Sequence, residues 1–370
     1  MTATAGPGVR ALPDFPWDKL VPFSTRAREH PGGVVDLSVG TPVDPTPAVA
    51  QQALVAAANA PGYPFTAGTE AVRRAAAGWL SRRLGAAEGT AVLPTIGSKE
   101  LVALLPSLLG LRAGDAVALP ALAYPTYAVG AMLAGAEPLA SDSLTGLGPA
   151  PVRMIWVNSP SNPTGRVLPP EHLRKVVDWA RERDVLVVSD ECYSEFGWDA
   201  DPVSVLHPDV CGGSHDGLLA VHSLSKRSNL AGYRAGFVAG DPVVVRRLLE
   251  VRKHAGLIVP APVQAAMVAC LDDDEHVAEQ RTRYAARREV LRPALEAAGF
   301  RIEHSEAGLY LWCTRDEDCW TTVDALADVG IVVAPGEFYG AAGSRHVRVA
   351  LTATDERIQQ VPERLAALRA

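Results

Sequence analysis

The sequence predicts an α/β fold: a large domain with a mostly parallel sheet covered by helices, followed by a smaller α+β domain. Three features lead there. Short β-branched runs alternate with longer Ala/Leu/Arg helical patterns between about residues 90 and 255, the pattern of strands joined by crossover helices. Each strand run passes directly into a polar cluster. After His254 the texture changes to a long charged helical pattern and then short strands.

In chain order, the clearest strands are Ala116–Leu119, Met154–Val157, Val185–Ser189, Leu218–Val221 and Gly236–Ala239, each a short apolar run. Helical spacing is predicted over Lys99–Leu109, Pro170–Arg183 and Pro242–Lys253. Beyond Pro260 and Pro262 a helix is predicted over Val263–Cys270, then a charged one from Glu275 to about Ala298, which Pro293 should kink or split. Strands at Arg301–Glu303, Gly308–Cys313, Ile331–Ala334 and Val347–Leu351, with a helix around Thr322–Val329, complete the chain. The division expected is an N-terminal segment 1–45 packing on the small domain, a large domain 46–257 and a small domain 258–370.

Composition narrows the function classes. With 370 residues, 48% hydrophobic and 21% charged, the chain has the make-up of a globular enzyme. A net charge of −7 without a basic block argues against nucleic acid as a partner. No apolar run approaches the ~20 residues of a membrane span. The start, Met1–Leu12, is Ala/Gly/Pro-rich and lacks the apolar core of a signal peptide. Five cysteines in no tight spacing point to the cytoplasm rather than a disulfide framework. Nine scattered histidines offer no metal site.

In open α/β sheets, ligands bind beyond the carboxyl ends of strands, so the polar clusters at those ends should converge. The most telling is Ser223-Leu224-Ser225-Lys226, with Arg234 eight residues after the lysine. Lys226 can form a Schiff base with an aldehyde, while Ser223 and Arg234 can hold a dianionic phosphate. Pyridoxal 5'-phosphate (PLP) requires both. The alternative for this stretch is a solvated surface loop.

Asp190 ends the run Val185–Ser189 and can pair with a pyridinium nitrogen, keeping the ring an electron sink; Tyr193 can donate to the ring's phenolic oxygen. A helix N-cap is the alternative for Asp190, and Glu191 reads as structural. Asn162, held in Asn158-Ser159-Pro160-Ser161-Asn162-Pro163-Thr164-Gly165, can donate an amide hydrogen to the same oxygen, or the segment is a plain turn. Gly97-Ser98-Lys99-Glu100 opens a helix and can meet a phosphate; a simple capped helix is the alternative. In Tyr124-Pro125-Thr126-Tyr127 one ring can stack on the pyridine, Tyr124 coming first. Arg348, inside the apolar strand Val347–Leu351, needs either a structural ion pair or a carboxylate ligand. Gly40 can offer a bare backbone N–H to that carboxylate, or simply form a turn.

Taken together, these clusters resemble the class I/II aminotransferases of PLP fold type I over nearly the whole chain. The resemblance implies Lys226 as the Schiff-base lysine and Asp190 as the pyridinium partner. It implies Asn162 and Tyr193 at O3′, and Tyr124 on the ring face. Ser98, Lys99, Ser223 and Arg234 would surround the phosphate, with Tyr63 reaching in from the second subunit of a homodimer. Arg348, helped by Gly40, would hold the α-carboxylate. Within the family the strings Ser38–Pro45, Leu93–Glu100, Leu224–Arg234, Ser305–Trp312 and Val347–Ile358 are most similar to actinobacterial N-succinyldiaminopimelate aminotransferases (the DapC type). That likeness implies small-molecule amino-acid and keto-acid substrates. Glutamate and 2-oxoglutarate would form one pair, N-succinyl-LL-2,6-diaminopimelate and N-succinyl-2-amino-6-ketopimelate the other, in lysine and diaminopimelate biosynthesis. Lys99, Arg227, Arg26 and Lys253 are candidates to read the distal succinyl carboxylate. The rivals are another amino-acid specificity in the same group, or a cystathionine β-lyase. A PLP-sensing transcription regulator would need a DNA-binding domain ahead of Gly40, where only a short Pro-rich stretch stands.

Overall fold

The structure, a computed structural model, describes residues 12–369; the expectation about a signal peptide therefore falls almost entirely outside the described residues. Among these, twelve strands form two sheets. In chain order, β1 (Val35–Leu37) belongs to a five-stranded sheet. A seven-stranded sheet is made by β2 (Ala91–Ile96), β3 (Ala116–Leu119), β4 (Glu137–Ala140), β5 (Val152–Asn158), β6 (Leu186–Asp190), β7 (Leu218–Ser223) and β8 (Ala235–Gly240). The five-stranded sheet is completed by β9 (Arg301–Glu303), β10 (Tyr310–Thr314), β11 (Ile331–Pro335) and β12 (Val347–Ala350).

The large sheet has the order β2-β8-β7-β6-β5-β3-β4. Its β7-β6-β5-β3-β4 portion is parallel, and β8 runs antiparallel to both β2 and β7. Both faces are covered. Val187 packs with Trp79, Leu80 and Phe237 on one side, and its neighbour Val188 with Tyr127, Met154 and Trp156 on the other. Successive side chains on a strand point to opposite faces, so a run apolar at every position is what a twice-covered strand requires. Burying each large side chain contributes roughly 1.5–3 kcal/mol. The helices Pro170–Arg181 and Pro242–Ala255 both start at their proline, where no N–H is missed.

Pro293 behaves differently from expectation. The helix Glu275–Ala297 runs through it unbroken. Pro293 and Glu289, whose carbonyl loses its helical donor, are both on the exposed side of the helix, where that carbonyl is not buried without a partner. The inward face (Tyr284, Arg287, Leu291, Leu295) continues across the proline. In the small sheet, β1 pairs in parallel with β11, Val35 opposite Ile331, which ties the chain's beginning to its last third.

Register brings the chemistry to one edge. Asn158 on β5 lies opposite Asp190 on β6, which lies opposite Val221 on β7, two residues before Ser223. Because β8 is antiparallel, its first residues arrive at the same edge: Gly236 faces Ser223, and Ala235 faces Ile96 at the end of β2. Gly97 and Arg234, one residue outside those strand ends, are thereby brought together.

Candidate active site

At this edge Lys226 follows the end of β7 in a short helical turn whose start is capped by Ser223, its hydroxyl accepting from Ser225 N at 3.1 Å. The Lys226 ammonium donates to the Gly40 carbonyl. Gly40 is a position that only glycine can fill: a Cβ there would overlap the Tyr310 hydroxyl. Tyr310 in turn lies 2.9 Å, hydroxyl to hydroxyl, from Tyr193. Burial, reinforced by Tyr310, pushes the Tyr193 hydroxyl well above the usual tyrosine range. Burial acts the same way on Tyr310, but the cations Arg348 and Lys226 outweigh it and hold that hydroxyl below the usual value.

Asp190 is 7% exposed. Its Oδ2 accepts from the Tyr127 hydroxyl at 2.7 Å and its Oδ1 from Cys192 N at 3.2 Å. Burial raises this carboxyl above its ordinary value, against the opposing pull of Cys192, Tyr127 and Lys226. A buried carboxyl in that state is held ionised by a cation set against it, and a protonated pyridine nitrogen is such a cation. Tyr127 is fixed by stacking on Trp156, centroids 4.6 Å apart. Tyr124, half-buried, meets Tyr127 edge-on.

The Asn158–Gly165 turn is locked from within. Asn158 Nδ2 donates to the carbonyls of Pro160 (3.0 Å) and Asp190 (2.9 Å), and its Oδ1 accepts from Asn162 N at 2.7 Å. Asn162 Oδ1 then accepts from Arg348 at 2.8 Å. Arg348 sits on β12, buried, with a second bond to the Ser38 carbonyl at 2.6 Å. Its guanidinium lies over the rings of Tyr310 (3.9 Å) and Tyr339 (5.0 Å), and its Nε has no partner among the described residues. No carboxylate among the described residues meets this buried cation, so it is not a structural ion pair.

The residues present fit PLP. Gly97 has φ +68° and its missing Cβ leaves room for the Arg234 guanidinium. Ser98 stands beside them and bonds Cys192. This cradle of backbone and guanidinium, with Ser223 near, offers the donors a phosphate takes; Asp190 and Lys226 suit the ring nitrogen and the aldehyde. Lys99 is exposed, its ammonium 5.3 Å from the Phe15 ring centroid. Tyr63 is 99% exposed on this single chain.

Of the four cations that could meet a distal carboxylate, three have acidic partners on this chain. Arg227 is buried and bonded to Glu195 and the Cys270 carbonyl. Arg26 is paired with Asp324 and Asp328, and Lys253 with Glu250. Lys99 remains. Sequence reasoning missed the roles of Tyr127, Tyr310 and Ser38, whose partners are remote in the chain. The only local hint was Tyr127's place one helical turn after Tyr124.

The profile described as "Aminotransferase class I and II" matches residues 32–365, and the chain belongs to that family: it is a PLP-dependent aminotransferase. It is 62% identical over 358 residues to 4-dedimethylamino-4-oxo-anhydrotetracycline transaminase OxyQ of Streptomyces rimosus, covering 96% of this chain and 100% of that one. It is also 62% identical over 366 residues to the probable aminotransferase Rv1178 of Mycobacterium tuberculosis, covering 98% and 88%. Among solved structures, a probable N-succinyldiaminopimelate aminotransferase from Thermus thermophilus superposes with a TM-score of 0.85 at 26% identity, covering 96% and 100%.

Proposed function

We propose that this aminotransferase acts on N-succinyl-LL-2,6-diaminopimelate, with 2-oxoglutarate as acceptor and glutamate as product. The observation that carries the carboxylate specificity is Arg348. It is a buried guanidinium with no acidic partner among the described residues, aimed by Asn162 and Ser38, and a buried cation of this kind selects a substrate carboxylate. The name of the Thermus neighbour supports the succinylated substrate, and Lys99 is the cation left to read the far carboxylate.

Bound PLP supplies an aldehyde for the substrate amine and a ring that takes up electrons from Cα. Lys226 Nζ moves the proton at Cα. Asp190, oriented by Tyr127, would hold the proton on the ring nitrogen, and Asn162 and Tyr193 would hold the phenolic oxygen. Tyr124 would cover one ring face and exclude water. Ser98, Ser223 and Arg234 would surround the phosphate. Tyr63, fully exposed on one chain, completes the site of a second copy in a homodimer; a Tyr63→Ala variant that dimerises yet keeps full cofactor affinity would contradict that role. The five free cysteines, four of them buried, suit a reducing cytoplasm; cell fractionation tests that.

The likeness to OxyQ favours a second reading, amination of an oxo-anhydrotetracycline. The experiment compares kcat/KM for N-succinyl-LL-2,6-diaminopimelate, LL-2,6-diaminopimelate, aspartate, phenylalanine and that ketone under one donor pair. A lead of about tenfold or more, ~1.4 kcal/mol, for the succinylated substrate supports the proposal; a lead for any other replaces it.

A further inference from the structure

Asp190 and Glu191 are consecutive, yet they serve opposite faces of the large sheet. Asp190 turns toward Tyr127. Glu191 turns toward Trp79 and Phe237, into a small cavity of about 10 Å³ that His222 and Arg227 also line. Three residues that line it carry a buried polar atom without a hydrogen-bond partner among the described residues: Glu191 Oε2, His222 Nε2 and Arg227 Nη2, the last lying 4.0 Å from Asp274 Oδ1. The first two are 3.5 Å apart.

The proton count follows from the bonds. The His222 ring donates to the Glu191 backbone carbonyl. Because Nε2 is unpartnered, Nδ1 carries that hydrogen and Nε2 presents a lone pair. Glu191 Oε1 accepts from Val205 N at 2.8 Å, and the Ser189 and Ser204 hydroxyls also bond the carboxyl, opposing the upward push of burial without cancelling it. If Glu191 were ionised, Oε2 and Nε2 would face each other as two acceptors inside a dry core, which is costly for both. One proton between them removes the conflict, directly or through the single water the cavity has room for. Arg227, whose guanidinium rests 5.3 Å from the Trp79 ring centroid, disfavours an imidazolium beside it, so the proton belongs on the carboxyl.

We infer that Glu191 is an uncharged carboxylic acid donating toward His222 Nε2, and that this bond pins the end of β6 to β7 so that Asp190 and the Lys226 turn keep their spacing. Glu191 is thus a positioning residue for the cofactor site, and this rests on the PLP reading of that site. The other charged or titratable groups around it are few. Asp190 and Cys192 flank it in sequence, Glu195 lies in the next turn, His222 comes from β7 and Arg227 from the lysine turn. Arg227 and Arg83 are both matched by Glu195, and the helix Glu70–Leu84 presents the uncharged Trp79. Burial pushes the Glu191 carboxyl up to about 7 and the His222 imidazole down to about 3, directions consistent with the neutral pair.

The test combines infrared difference spectra of wild type against Glu191→Gln, with and without PLP, and PLP affinity measured from about pH 6 to about pH 9. Glutamine keeps both bonds, one donated and one accepted, without a titrating proton; Glu191→Ala keeps neither. Expected is a protonated-carboxyl carbonyl band in wild type at about pH 6, absent from Glu191→Gln and lost on raising the pH through about 7. PLP affinity of wild type should weaken roughly tenfold or more over that rise, that of Glu191→Gln should stay flat, and Glu191→Ala should bind weakly throughout. No such band at about pH 6, or wild type and Glu191→Gln sharing one pH dependence, overturns the inference. Failure of PLP to bind at any pH overturns the cofactor reading instead, and the infrared band of the cofactor-free chain then decides the protonation of Glu191 by itself.

Discussion

Arg348→Lys keeps the positive charge on β12 and removes the planar fork. In the wild type, two nitrogens of the fork are taken by Asn162 Oδ1 (2.8 Å) and the Ser38 carbonyl (2.6 Å), and the plane lies 3.9 Å from the Tyr310 centroid. An ammonium can point at a substrate carboxylate or at Asn162, and it cannot stack. One lost charge-assisted bond is worth roughly 1.5–3 kcal/mol, and a desolvated cation–π contact up to ~2 kcal/mol. A loss of about 3–4 kcal/mol is therefore expected, or ~10²–10³ in kcat/KM. Because a carboxylate is held alike before and during the chemistry, the loss should fall mainly on KM. Steady-state kinetics with glutamate and with the preferred amino donor reads this, and the absorbance of bound PLP checks that the site is otherwise intact. A drop of less than about tenfold for every carboxylate-bearing substrate, with normal PLP binding, would refute the assignment of Arg348.

Other outcomes follow from the same geometry. Tyr127→Phe removes a 2.7 Å bond to Asp190 and should weaken PLP binding by roughly 1.5–3 kcal/mol; titration of the purified protein with PLP measures it, and an unchanged affinity contradicts the role of Tyr127. Gly97→Ala puts a methyl group against Arg234 at φ +68°, so affinity for PLP should fall while affinity for unphosphorylated pyridoxal changes little; equal losses would mean that Gly97 is not in the phosphate cradle. Arg227→Met strands the buried Glu195, which keeps only the half-exposed Arg83, and should destabilise by roughly 3–5 kcal/mol, visible as a lower urea midpoint. The stability–pH profile tests the buried pair. Glu191, raised from 4.5 to about 7, contributes stability below about pH 4.5 that is lost as pH rises through about 7. His222, lowered from 6.5 to about 3, contributes above about pH 6.5 and is lost toward pH 3. The two slopes oppose each other in wild type, so His222→Gln should expose the falling limb by chemical denaturation; a profile parallel to wild type would refute it.

Much of this was legible in the chain. Strand β3 is Ala116–Leu119, as its apolar run and flanking turns predict, because a strand covered on both faces announces itself by composition. Strand β4 (Glu137–Ala140) escaped notice: it is an edge strand, exposed at both ends and containing a proline, so it carries no apolar run. Strand β1 has only three residues and exists through its pairing with β11. The site residues that could be read were those whose chemistry sits in a compact string, such as Lys226 with Arg234 or the Asn158–Gly165 turn. Tyr127 and Tyr310 could not be read, since a tyrosine in an apolar element looks like core. Tyr127 finds Asp190 across 63 residues and Tyr310 finds Tyr193 across 117. Pro293 misled because the rule against proline in helices assumes that the freed carbonyl is buried, and here it lies on the exposed side of the helix.

The central claim is that Lys226 holds PLP in a site that exchanges amino groups. Its most direct test is the absorbance of the purified protein between about 300 and 500 nm, recorded while glutamate and then N-succinyl-2-amino-6-ketopimelate are added, for wild type and Lys226→Ala. A visible band that bleaches with glutamate, returns with the keto acid and is missing its amine-exchange response in Lys226→Ala is the predicted result. A wild-type protein that shows no band after PLP is supplied, or a Lys226→Ala variant that cycles like wild type, would contradict the account.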